Sequence, residues 1–208
     1  MSHFEPSQLT VSQLSCERGS RRLFENLDFR VSNGQAMIIK GSNGVGKTSL
    51  LRILTGLSQA VEGRVCWNGD DIETISDDYQ RELLYIGHLA AVKTELTVRE
   101  NLQLLLRFWP SDRFSVAELA DVIGLRQRLS VLCSRLSAGQ LRRVSMARLF
   151  ISRQTLWVLD EPLTALDVTF IGLIEKRLEE HLQMGGIVIL TTHRGINLGS
   201  QQAIALEM

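Results

Sequence analysis

The chain has 208 residues, 44 % of them hydrophobic, which is enough to bury one sizeable core but too short for two full domains. Lysine plus arginine and aspartate plus glutamate each total 23, so no overall field draws the chain to nucleic acid or to an anionic membrane surface. Cys16, Cys66 and Cys133 stand far apart with neither CxxC nor Cys/His ligand spacing, which favours reduced structural thiols over a zinc site or a disulfide framework. No 18-residue apolar run occurs, and the N-terminal MSHFEPSQLT lacks a basic leader followed by an apolar core, so neither a membrane span nor export is expected.

Short alternating runs between Leu9 and Val31, broken at Arg18-Gly19-Ser20, predict an antiparallel β layer with a turn at that break. Ala36 to Ile39 reads as a buried strand, and Lys47 to Leu57 as a helix whose Leu50, Leu51, Leu54 and Leu57 recur at helical spacing. From about Thr97 to Leu129 the period becomes helical, with Val98, Leu102, Leu105 and Leu106 in one segment and Val116, Leu119, Val122 and Ile123 in the next. A helix from about Ser137, a strand Leu156–Leu159, a helix near Thr169 to Met184 and a strand Ile187–Leu190 complete the pattern. Strands alternating with helices imply a parallel sheet with its chemistry at the strands' carboxyl ends. The expectation is one α/β domain over residues 1–208, with an all-helical insertion over about residues 90–153.

Between the first buried strand and its helix lies Gly41-Ser42-Asn43-Gly44-Val45-Gly46-Lys47-Thr48, a full GxxxxGK[ST] match. Glycines let backbone N–H groups close around phosphate oxygens, Lys47 brings a point charge to the terminal phosphates, and the Thr48 hydroxyl can ligate Mg²⁺. The helix starting there adds its positive dipole end. An ordinary glycine-rich turn is the plainer alternative, but it does not require both the lysine and the flanking strand and helix. The loop specifies phosphate binding and nothing about its purpose.

Leu156-Trp157-Val158-Leu159-Asp160-Glu161 is an apolar strand that ends in two acids, an arrangement that is costly to bury unpaired. Beside a triphosphate, Asp160 can hold a Mg²⁺ shell while Glu161 faces the attacking water. Taken alone, Leu136-Ser137-Ala138-Gly139-Gln140 reads best as a serine N-cap on an amphipathic helix, but Ser137 stands 23 residues before Asp160.

GSNGVGKT, LSAGQ, LWVLDEP, Ala165-Leu166-Asp167 and His193 after IVIL, in that order across the chain, resemble the nucleotide-binding domain of ATP-binding-cassette (ABC) proteins. The resemblance implies a P-loop NTPase core of mainly parallel sheet flanked by helices, an antiparallel β edge layer and a helical signature subdomain. It implies ATP and Mg²⁺ as cofactors, with Thr48, Asp160 and His88 near the metal and Glu161 as the catalytic base. Ser137 and Gly139 become contacts to the γ-phosphate of a nucleotide held by a second copy of the chain, Asp167 the D-loop aspartate, and His193 the switch histidine. Two positions depart from the family pattern. Gly87-His88 stands where glutamine is usual, and an imidazole there can accept or donate but changes charge near neutral pH. Arg18 stands near the place of an aromatic ring that stacks on the base, a role an arginine plane can also take.

Tyr85-Ile86-Gly87-His88, KTELTVRENL, LSAGQLRRVSMARL, LWVLDEPLTALD and GGIVILTTH are further similar to the ATP-binding subunits of bacterial cytochrome c maturation systems, often described as haem exporters. That resemblance implies a homodimer on the cytoplasmic face of the inner membrane, coupled through the Lys93–Leu102 segment to integral membrane subunits that handle haem. No haem-binding motif is present; His3, His88, His181 and His193 each have a plainer role. The ATPase subunit of another ABC transporter is the first alternative, and a soluble ABC ATPase of DNA repair or translation the less favoured one, since such chains usually carry two cassettes or a long coiled coil. A nucleotide-gated clamp without turnover is disfavoured by Glu161 and His193.

Overall fold

The computed structural model describes residues 4–198 and 203–208; His3 lies outside them. The chain runs through β1 (Gln8–Arg18), β2 (Arg21–Ser32), β3 (Ala36–Lys40), α1 (Lys47–Leu54), β4 (Glu62–Trp67), β5 (Asp70–Asp71), α2 (Ser76–Glu82) and β6 (Leu83–Ile86). Then come α3 (Val98–Phe108), α4 (Val116–Val122), α5 (Ala138–Met146), α6 (Arg148–Ile151), β7 (Leu156–Asp160), α7 (Val168–Gln183), β8 (Ile187–Thr191) and β9 (Ala203–Glu207). Two compact units result. One comprises the chain up to Tyr85, Gln154–Glu161 and the part from Leu178 onward; the other comprises Ile86–Arg153 and Pro162–Arg177.

The first unit holds two sheets. The antiparallel one has the order β2-β1-β4-β5, and its β1–β2 hairpin closes at Arg18↔Arg21, on the predicted turn. The other has the order β6-β7-β8-β3-β9, and its β7–β8, β8–β3 and β3–β9 pairs are parallel. β7 and β8 are buried at every position, which is why they read as unbroken apolar runs: a parallel strand in mid-sheet is covered on both faces. Leu50, Leu51, Ile53 and Leu54 of α1 join Leu9 and Val11 of the antiparallel sheet and Val158 and Ile189 of the parallel sheet in one core cluster.

α1 ends at Leu54, earlier than its leucine spacing predicts, and Leu57 is 56 % exposed. Thr55 caps the helix and Gly56 follows at φ +70, a left-handed conformation that turns the chain away before Leu57 can reach the core. β4, β5, α2 and β9 carry no clear sequence signal. β4 buries only Val65 and Trp67, α2 only Tyr79, and no residue of the edge strand β9 is fully buried.

The second unit contains α3 to α6 and the first part of α7. Its core is drawn from Val98, Leu102, Leu119, Ile123, Val144 and Leu149, the apolar stripes of the predicted helices. Three of its helices start with reciprocal capping boxes, Thr97 with Glu100, Ser115 with Glu118 and Ser137 with Gln140. Among the described residues, no helix is long and apolar enough to cross a membrane.

Candidate functional site

In the first unit, the carboxyl ends of β3, β7 and β8 lie side by side, so the residues that follow each strand share one region. After β3 comes the Gly41–Thr48 loop. Gly46 is the N-cap residue of α1 at φ +118, and a Cβ there would meet Leu23 and Phe24 of β2 at 3.1 Å. The backbone conformation calls for glycine, and the two close contacts add to the cost of any side chain. The Lys47 side chain, 8 % exposed, folds over the loop and donates from Nζ to the carbonyls of Gly41 (2.7 Å) and Ser42 (3.0 Å). Its ammonium is thereby held where the loop's N–H groups and the α1 N-terminus favour an anion.

Asp160, the last residue of β7, is 2 % exposed. Its Oδ2 accepts from the Thr48 hydroxyl at 2.9 Å, and its Oδ1 from the Thr191 hydroxyl at 2.7 Å. The carboxylate is felt nearby: the Tyr85 phenol is pushed up, first by burial and then by Asp160, with Arg52 opposing. Glu161 follows at φ +48, rare for a residue with a Cβ, and its N–H donates to Thr191 Oγ1 at 2.9 Å. Glu161 Oε1 lies 3.3 Å from His193 Nε2, with the glutamate side chain 16 % and the histidine side chain 51 % exposed. The phosphate loop, both acids and His193, picked out separately in the sequence, therefore converge within one unit.

The chemistry of this donor set fits Mg²⁺. Thr48 Oγ1 and Asp160 Oδ2 are hard oxygen ligands already within 2.9 Å of each other, and Mg²⁺ characteristically takes one or two protein oxygens and completes its shell with phosphate and water. Among the described residues no cluster of three or more His, Cys, Asp or Glu could form an all-protein metal cage.

In the second unit, Ser137 is the N-cap of α5; its Oγ accepts from the Gln140 N–H at 3.2 Å, and its own N–H donates to Gln140 Oε1 at 3.1 Å. The capping reading of this serine thus holds whatever else it does. A Cβ on Gly139 would stand 2.5 Å from the Ala165 carbonyl oxygen, so the first turn of α5 packs directly on the segment leading to Asp167. Asp167 pairs with Arg143 of α5 and accepts from the Phe170 N–H at 3.0 Å. The Arg143 bond first, and the Phe170 bond second, hold the Asp167 carboxyl below the usual carboxylate range. The Arg143 guanidinium also lies 4.7 Å from the centroid of the Phe170 ring. His88 is exposed, and the buried Arg142 donates to the carbonyls of Gly87 (2.9 Å) and His88 (3.2 Å).

Arg18 is exposed at the end of β1, and the hairpin side chains that approach Gly46 are Leu23 and Phe24. His181 is fully buried, stacked on Trp157 at 3.8 Å between ring centroids, with Nε2 3.0 Å from the Thr155 carbonyl oxygen. It is a core histidine. Thr191 and Arg143 stand outside the site residues that the sequence suggests. The available signal for Thr191 was a hydroxyl at the end of an apolar strand, two residues before His193.

A family model described as ABC transporter matches residues 24–164. The chain belongs to the ABC transporter family. Among the ABC proteins it resembles, the cytochrome c biogenesis ATP-binding export protein CcmA of Haemophilus ducreyi is 42 % identical, covering 97 % of each chain. CcmA of Nitrosomonas europaea is 47 % identical over 89 % of this chain and 88 % of its own. CcmA of Escherichia coli K12 is 44 % identical over 93 % of both. Among solved structures, the ATP-binding subunit of an ABC transporter superposes with a TM-score of 0.78 at 27 % identity, covering 89 % of this chain and 79 % of that one. An ABC transporter ATP-binding protein from Pyrococcus furiosus, 22 % identical, shares the fold with a TM-score of 0.77 over 96 % of both chains.

Proposed function

We propose that this chain is the ATP-binding and ATP-hydrolysing subunit of an ABC export complex of cytochrome c biogenesis. The observation that carries the hydrolytic part is the hydrogen-bonded line Thr48–Asp160–Thr191–Glu161, which joins the phosphate loop to the second acid of β7. The biological part rests on the similarity to CcmA over nearly the whole chain.

The loop N–H groups and Lys47 bind the β- and γ-phosphates, with Thr48 and Asp160 holding Mg²⁺. When bound, Mg²⁺ neutralises charge on the phosphate oxygens. Glu161 takes a proton from water as the water oxygen bonds to the γ-phosphorus and the bond to the bridging oxygen breaks, giving ADP and phosphate. His193, beside Glu161, is suited to sense the γ-phosphate. Two chains associate head to tail, so that Ser137 and Gly139 of one complete the site built on Lys47 of the other; such an isologous interface forms both sites together.

Energy leaves through integral membrane subunits at the cytoplasmic face of the inner membrane. The Lys93–Leu102 segment is suited to receive them because its backbone is firmly organised. Asn101, buried, accepts from the Lys93 N–H at 3.0 Å and donates to the carbonyls of Lys93 (2.9 Å) and Thr97 (3.0 Å). Haem or its carrier is handled by those partners.

Affinity purification of the tagged chain from detergent-solubilised membranes tests this reading. Integral membrane partners are expected, together with loss of c-type cytochromes in cells that carry only the Lys47→Ala chain. Recovery with ribosomes or DNA-processing proteins alone would overturn it in favour of a soluble ATPase.

A further inference from the structure

Thr191 ends β8 opposite Asp160 on one side and Ile39 on the other, so its backbone is held by both neighbouring strands. It is 0 % exposed. A β-branched side chain fixed in this way has little χ1 freedom, and its single hydroxyl is committed in two directions. The one proton goes to Asp160 Oδ1 at 2.7 Å, which leaves a lone pair for the Glu161 N–H at 2.9 Å.

The β7–β8 register ends at Asp160↔Thr191. Just beyond it, Glu161 turns to φ +48, and a left-handed turn on a residue with a Cβ persists only where its surroundings determine it. Thr191 is such a determinant, because its side chain takes up the Glu161 N–H where the ladder stops. The same oxygen orients the Asp160 carboxylate, whose other oxygen faces Thr48. Two residues later the chain brings His193 Nε2 within 3.3 Å of Glu161 Oε1. The end of β8 therefore grips Glu161 at both its backbone and its carboxylate.

We propose that Thr191 is the positioning residue that sets the two acids of β7 relative to each other, fixing the Mg²⁺-side carboxylate and the backbone of the base through one hydroxyl. The inference rests on the hydrolytic reading above and adds to it a residue that touches neither nucleotide nor water. Its loss leaves the phosphate loop intact, so it acts on turnover and on the use of Mg²⁺ and not on the capture of ATP.

Thr191→Val removes the hydroxyl at nearly constant volume, Thr191→Ser keeps it, and Thr191→Ala carries the comparison should valine not fold. Three quantities are read on the purified full chain: binding of a fluorescent ATP analogue in EDTA, the extra thermal stabilisation when Mg²⁺ is added to ATP, and steady-state hydrolysis against Mg²⁺ concentration. Valine and alanine are expected to bind the analogue within about threefold of the parent, to lose about tenfold or more in kcat, and to need more Mg²⁺ for half-maximal stabilisation. Serine is expected to restore all three. Valine and alanine with kcat and Mg²⁺ dependence unchanged would overturn the proposal, as would serine behaving like valine, which would assign the effect to packing. A parent chain that neither binds nor hydrolyses ATP overturns the hydrolytic reading itself and is recognised without any variant.

Discussion

Gly46→Ala tests the claim that the Gly41–Thr48 loop is shaped for phosphate by its backbone. Gly46 sits at φ +118, outside even the left-handed region that L-residues visit, and an added methyl meets Leu23 Cβ and Phe24 Cδ1 at 3.1 Å each. Holding alanine there costs about 1–3 kcal/mol. If the loop keeps its shape, that strain falls on the fold, and for a chain of this size it lowers Tm by about 2–12 °C. If the loop relaxes instead, its N–H groups turn away from the phosphates, and the same energy lowers ATP affinity by about five- to 150-fold. Gly44→Ala is the control: φ is +81, but nothing lies within 4 Å of the new methyl, so only the conformational part remains. Thermal denaturation and fluorescent-nucleotide binding in EDTA together capture both routes. A Gly46→Ala chain with Tm and affinity both unchanged would refute the reasoning, and one no worse than Gly44→Ala would remove the part assigned to Leu23 and Phe24.

Tyr79 Oη donates to the Leu54 carbonyl at 2.6 Å, at the end of α1, and burial pushes its phenol well above its usual value. Tyr79→Phe should cost about 1–3 kcal/mol by leaving that carbonyl unpaired. Because the folded state holds the phenolic proton more tightly than the unfolded chain, the associated stability is fully present below about pH 10 and declines as pH rises further, so the alkaline limb of a Tm–pH curve should flatten in Tyr79→Phe. An unchanged limb would mean that Tyr79 is not what shapes it. For assembly, a Lys47→Ala chain mixed with a Ser137→Arg chain should regain part of the ATP-dependent dimerisation that each lacks alone, since a mixed dimer gathers both defects in one site and leaves the other whole. Mixed dimers captured by cross-linking that associate no better than either parent would exclude shared sites.

The parts of this molecule legible in the sequence are those where one physical demand acts on consecutive residues. β3, β7 and β8 are covered on both faces and so had to be apolar runs; the phosphate loop needs glycines and a lysine at fixed spacing; Ser137 had to cap a helix whichever role it serves. β4 and β9 escaped because few or none of their residues are fully buried, and Leu57 misled because helical spacing says nothing of the left-handed Gly56 that breaks the period. Thr191 and Arg143 were hard to read for a different reason. Their partners lie 31 and 24 positions away, and only the pairing of β7 with β8, and of α5 with the start of α7, brings each to an acid. Asp160, Glu161 and His193 were recognisable as candidates, but the hydrogen bonds that make them one arrangement exist only in the fold.

Steady-state hydrolysis and ATP binding by the Glu161→Gln chain test the central claim most directly. Glutamine keeps the shape of the side chain beside His193 but cannot accept the water's proton, so turnover should fall by about a hundredfold or more while ATP affinity stays within about threefold of the parent. Turnover that remains within about threefold of the parent would contradict the assignment of Glu161 as the base, and with it the hydrolytic site built on β7 and β8.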